Sequence, residues 1–117
     1  MYILFLHTLT VVKPKVTNTS DNQTVISNSI AVFYCYATAK PVASIEWLRN
    51  GSKLNRPQIN ITDGKDCDDD NPNNQCTSYS ILQLFNTQPA DSGQYVCNAS
   101  NEYGSDLQSV NLTVQGM

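Results

Sequence analysis

Four cysteines, Cys35, Cys67, Cys76 and Cys97, carry the covalent chemistry that this chain's residue types offer. In a small β-patterned chain such a set reads as disulfides made in an oxidising compartment. Arithmetic alone allows three pairings. Between Cys67 and Cys76 lies the most unusual stretch. Asp68, Asp69 and Asp70, preceded by Asp66, run into Asn71, Asn73, Asn74 and Gln75. Carboxylate and amide oxygens are what calcium takes, so these acids are candidate cation ligands. The spacing is not that of an EF-hand loop: Asn71 and Pro72 stand at the glycine turn and Thr77 replaces the closing Glu. A solvated hairpin tip stapled by a local disulfide is the competing reading. A metal site of Cys and His type lacks histidine, since His7 is the one in the chain.

No constellation for catalysis is present. The sequence has no Ser/His/Asp arrangement around His7, no G-x-S-x-G, no phosphate loop and no histidine pair. Asp68 and Asp70 sit in a polar loop where burial to raise a pKa is not expected. The expectation is a protein that is not an enzyme and needs no cofactor. A net charge of −3 provides no basic footprint for nucleic acid.

Asn-x-Ser/Thr sequons point the same way as the cysteines. They occur at Asn18, Asn22, Asn50, Asn60, Asn98 and Asn111, none with proline at x. With 13 Asn, 10 Thr and 11 Ser in 117 residues, chance gives about two. The excess supports a secreted glycoprotein, against the plain alternative of drift in an asparagine-rich chain.

The elements that position these residues are strands. Length allows one domain with one modest core. No stretch reaches the roughly 18 apolar residues of a membrane span, so any membrane attachment would come through parts outside this chain. Around Cys97, Tyr95, Cys97 and Ala99 alternate with Gln94, Val96 and Asn98 between polar turns. Around Cys35, Ala31, Phe33, Cys35 and Ala37 face one way and Val32, Tyr34 and Tyr36 the other. Further strands are expected at 13–18, 24–27, 44–49, 58–62, 78–85 and 105–115, with Ile45, Trp47, Ile59, Ile61, Leu82, Leu84, Val110, Leu112 and Val114 inward. Residues 39–43 read as a turn and 64–76 as a polar excursion. Asn50-Gly51 is a strong turn signal, followed by a short strand. At Asn28, asparagine is a residue type that tolerates positive φ better than most.

Residues 1–12 carry two open readings. They begin apolar, as a signal-peptide remnant does, but lack a cationic start and a small-x-small cleavage site. Leu9-Thr10-Val11 also repeats Leu112-Thr113-Val114, which would make the segment the last strand of a preceding domain. The domain proper is 13–115.

Trp47 stands 12 residues after Cys35, and Asp91-x-Gly93-x-Tyr95-x-Cys97-x-Ala99-x-Asn101-x-x-Gly104 follows. In this order and spacing the chain resembles the I-set of the immunoglobulin superfamily. The resemblance implies an all-β, Greek-key β-sandwich. It selects Cys35–Cys97 across the sheets, with Trp47 on the sulfurs, and leaves Cys67–Cys76 as the second bond. It implies a tyrosine corner at Tyr95 and an ion pair of Asp91 with a basic residue before the fourth long strand, for which Arg56 is in position. Thr87 stands where the family places a larger aliphatic residue, so looser packing is expected there.

The function implied is extracellular or cell-surface recognition of a protein partner, homophilic or heterophilic, by sheet faces and loops. The alternatives are a structural domain of a tandem array, matrix or muscle type as in titin-like proteins, and a calcium-binding accessory module. Alternation places Tyr34, Tyr36 and Ile81 on one outward face, a candidate interface that a partner or residues 1–9 would cover. Leu48 and Val96 make a smaller patch on the opposite sheet, where Asn98 and Asn111 would place glycans.

Overall fold

The computed structural model describes residues 11–67 and 75–116. Nine strands run in chain order: β1 (Val12–Thr19), β2 (Gln23–Ile26), β3 (Ala31–Lys40), β4 (Ser44–Arg49), β5 (Ser52–Lys53), β6 (Ile59–Cys67), β7 (Cys76–Leu84), β8 (Gly93–Asn101) and β9 (Gly104–Gln115). They form two sheets, β1-β3-β7-β6 and β2-β9-β8-β4-β5. All pairs are antiparallel except β2 with β9. This is the two-sheet sandwich that the alternation and the resemblance implied.

The core comes from period-2 patterning. In β3, Ala31, Phe33, Cys35, Ala37 and Ala39 are fully buried, while the residues between them are not. Leu82 and Leu84 of β7, Tyr95, Cys97 and Ala99 of β8, and Val110, Leu112 and Val114 of β9 close on them from both sheets. Cys35 and Cys97 are bonded across the sandwich with their Cα atoms 6.4 Å apart. Trp47 lies in the same cluster and its Nε1–H donates to the buried Ser80 Oγ at 2.9 Å. Phe33 stacks on Tyr95 at 5.4 Å between ring centroids and meets Trp47 at 6.5 Å.

Turn chemistry behaves as the residues dictate. Asn50 and Gly51 have φ of 50° and 84°, the two positive values that a type I′ hairpin turn requires. Asn28 has φ of 71°, and its N–H donates to Thr87 O at 2.7 Å. Thr87 is fully buried, with its hydroxyl donating to Ser29 O at 2.9 Å. A hydrogen bond thus takes the place of the expected loose packing at this corner.

Three expectations are corrected. The turn at 39–43 is shorter, because Ala39 and Lys40 still pair in β3 and Ala39 packs with Ala37, Ala43 and Ala99. The excursion at 64–76 is mostly strand. β6 runs to Cys67 and β7 starts at Cys76, with Cys67 and Cys76 directly opposite in register. Polar side chains do not stop an edge strand that has a ladder partner on one side. Ile61 lies opposite the buried Leu82, so it has the inward parity, yet it is 42% exposed. The facing sheet ends at the two-residue β5, which covers this edge only in part. Val12 already belongs to β1, while residues 1–10 lie outside the described part, as does most of the segment proposed as a leader or preceding strand.

Candidate functional site

The lower corner of the sandwich is polar and closed. Tyr95 O–H donates to Asp91 O at 2.6 Å, the tyrosine corner expected from its place two residues before Cys97. Asp91 sits in one turn of 3-10 helix, Pro89–Asp91. Arg56 grips it with two bonds, Nε to Oδ1 at 2.8 Å and Nη2 to Oδ2 at 3.0 Å, and also donates to Phe85 O and Gln58 O. Burial pushes the Asp91 carboxyl up, but the Arg56 guanidinium, the Gln88 N–H and the Arg49 charge outweigh it and hold the group below its ordinary range. Burial pushes the Tyr95 phenol up. Arg49, which sequence reasoning passed over, donates to Ala90 O and Ser92 O and lies 5.7 Å from the Tyr95 ring centre. The bidentate Arg56–Asp91 pair and the Tyr95 bond tie this corner together, while Arg49 Nε is buried without a hydrogen-bond partner among the described residues.

On the outer face of the β1-β3-β7-β6 sheet the register puts Tyr34 opposite Ile81 and Tyr36 opposite Tyr79. Val32 and Tyr34 are 39% and 36% exposed. Tyr34 meets Tyr36 edge-on at 5.8 Å, and Tyr36 stacks on Tyr79 at 5.7 Å. Val32, Tyr34, Tyr36, Ile81 and Asn18 line one shallow groove of about 370 Å³. The expected sharing of one face by Tyr34, Tyr36 and Ile81 therefore holds. Tyr79 was missed, although its parity with Ile81 announces it. Its ring lies over Gly64, where an added Cβ would come within 2.2 Å of it. Residues 1–9, the alternative cover, lie outside the described residues.

The opposite face carries Leu48 directly across from Val96, both half-buried, with Leu107, 55% exposed, further along β9 opposite Asn98. Asn98 departs from expectation. It has the outward parity but is only half-exposed, between Glu46 and Leu107 in register, and its Oδ1 is enclosed with no partner among the described residues. A central strand is covered by cross-strand neighbours on both sides, which alternation alone does not reveal. Asn18, Asn22, Asn50, Asn60 and Asn111 are exposed. The Asn22 Oδ1 accepts the Asn111 N–H at 2.9 Å, and Asn60 Nδ2 donates to Gln83 Oε1 at 3.1 Å.

Cys67 and Cys76 are bonded, with Cα atoms 4.1 Å apart. Asp66 is exposed on β6 opposite Thr77. Asp68, Asp69 and Asp70 lie outside the described residues, among which no cluster of acids or histidines is able to hold a metal.

Known proteins match this chain along nearly its whole length. The sequence description of the Immunoglobulin I-set domain fits residues 14–114. Protein sax-3 of Caenorhabditis elegans is 32% identical over 102 residues, which is 87% of this chain and 7% of that protein. Cell adhesion molecule Dscam2 of Drosophila melanogaster is 31% identical over 104 residues, 87% of this chain and 5% of that protein. Among solved structures, a chimeric titin Z1Z2 superposes with a TM-score of 0.74 at 24% identity, covering 92% of this chain and 98% of the other. The chain thus spans less than a tenth of these curated relatives.

Proposed function

Since this chain belongs to the immunoglobulin I-set family, we propose that it is an extracellular recognition module of a cell-surface adhesion or receptor protein, binding a protein partner without a chemical step. The observation that carries this is the aromatic outer face of β3 and β7. Tyrosine combines large area, few rotors and a polar tip, which suits a surface that must be wet when free and dry when bound. The two disulfides and the sequons support an oxidising, extracellular location. The relation to Dscam2, whose name is that of a cell adhesion molecule, supports the adhesive role.

The test replaces Tyr34 and Tyr36 by Ser and measures self-association by sedimentation and adhesion of cells displaying the domain. Loss of either in a folded variant is expected. Unchanged adhesion and self-association would overturn the reading. A structural role in a tandem array is favoured by the Titin homolog of Caenorhabditis elegans, 35% identical over 71% of this chain, and by the titin likeness in fold; it predicts free thiols in a reducing compartment. A thiol count on protein taken from its native location separates the two.

A further inference from the structure

The aromatic groove has a sequon in its wall. Asn18 lies opposite Tyr36 in the β1–β3 register and lines the groove with Tyr34, Tyr36, Val32 and Ile81. Its sequon is tied to the same tyrosines. Ser20, the hydroxyl residue of Asn18-Thr19-Ser20, donates its N–H to Tyr34 O at 3.1 Å and accepts the Tyr34 N–H on Oγ at 3.2 Å. Among the described residues no hydrogen bond engages the Asn18 amide, unlike the amides of Asn22 and Asn60. Across the sheet, Asn60 sits opposite the outward Gln83 on the far edge strand. Both edges of this face therefore carry an exposed sequon asparagine.

We propose that Asn18 carries an N-linked glycan whose first sugars lie in the Tyr34–Tyr36 groove, so that glycosylation of this asparagine controls access to the recognition face proposed above. The chemistry fits. A pyranose presents a face of C–H groups, and the negative face of a tyrosine ring attracts them. The phenol O–H groups at the rim bond sugar hydroxyls. A groove of about 370 Å³ is at the small end of ligand sites.

The geometry also makes the sugar a gate. A standard protein interface covers about 800 Å² per partner, a patch roughly 28 Å across. Four strands spaced about 4.8 Å apart are narrower than that. Any protein docking on this sheet must cover both edge strands, Asn18 included, and a glycan there stands in its footprint. This inference rests on the recognition reading for its consequence, but not for its structural content.

The test secretes the chain from a glycosylating cell and maps peptides by mass spectrometry. Asn18 is expected to be occupied. Nitration of Tyr34 by tetranitromethane is then followed in the glycosylated chain and in Asn18→Gln, with Tyr103, 39% exposed on the β8–β9 turn, as internal reference. Tyr34 nitration should rise several-fold in Asn18→Gln with Tyr103 unchanged. An unmodified Asn18, or equal Tyr34 nitration in the two proteins, would overturn the proposal. Adhesion and self-association of Asn18→Gln, with and without the Tyr34→Ser and Tyr36→Ser changes, report on the other reading. If recognition elsewhere is the truth, the tyrosine changes leave binding intact while the nitration contrast persists.

Discussion

At the scale of single residues, the chain's few charged groups with defined partners are structural. Asp91 is held by Arg56 at 2.8 Å where both side chains are nearly buried. Removing one partner leaves an uncompensated charge, so Asp91→Ala should cost about 3 kcal/mol in chemical denaturation. The sign of its pH dependence follows from its lowered pKa. The stabilisation is complete above the ordinary carboxylate value of 3.8 and is lost as pH falls through the lower folded value. Stability of the wild-type chain should therefore fall more steeply below about pH 4 than that of Asp91→Asn, as acid titration of the melting temperature would show. Trp47 is 3% exposed and bonded to Ser80, and Trp47→Ala should cost about 3–5 kcal/mol. A loss under 1 kcal/mol would mean that the sandwich closes without it. Gly64→Ala should displace the Tyr79 ring from its place over β6 and disturb its stacking on Tyr36. Aromatic NMR shifts of Tyr36 and Tyr79 report that change, and a folded variant with unaltered shifts would contradict it.

At the scale of elements, the β6–β7 hairpin is the one whose extent depends on a cross-link. Its outer end is polar and exposed, with Asp63, Lys65, Asp66 and Cys67 all facing solvent. Little apolar burial holds that end together, so the ladder and the Cys67–Cys76 bond do. A loop of this length contributes about 2.6 kcal/mol by chain entropy. Replacing both cysteines by Ser should lower stability by up to that amount and open the amides of residues 64–67 to hydrogen exchange, while β3 and β8 amides stay protected. Uniform loss of protection would instead mean that the hairpin unfolds only with the whole domain. The β1 edge is managed differently: Asp106 Oδ2 of β9 accepts the Val16 N–H at 2.7 Å, blunting part of a free edge.

At the scale of the whole molecule, two sheets meet along one seam and the Cys35–Cys97 disulfide joins them covalently. The loop closed by Cys35 and Cys97 has a sequence separation of 62, worth about 4 kcal/mol by the same entropy argument. That is a large fraction of the stability of a small domain. Reduction of both disulfides in the presence of a thiol-blocking reagent should unfold the chain at ambient temperature, followed by loss of the near-ultraviolet signal of Trp47. The proposed recognition face and its sequon belong to this scale as well. Neither Tyr34 nor Asn18 has meaning alone, since they come from different strands that the β1–β3 ladder brings side by side.

Sequence by itself determined everything that depends on parity along one strand. Alternation in β3, β7, β8 and β9 marked the core residues, because successive side chains must point to opposite faces. Turn residues marked Asn50-Gly51, because their φ preferences are local, and the resemblance marked Asn28. The Trp47 spacing and the Asp91-to-Cys97 motif carried the disulfide and the corner through resemblance. Tertiary structure decided what lies beside what. Ile61 has inward parity and is 42% exposed, Asn98 has outward parity and is crowded, and Tyr79 covers Gly64. Each outcome is set by the length and register of a neighbouring strand, which is distant in sequence. The placement of Asn18 against Tyr36 is the same kind of fact: a bulged ladder between β1 and β3 puts the sequon at the groove, and no local pattern in either strand encodes it.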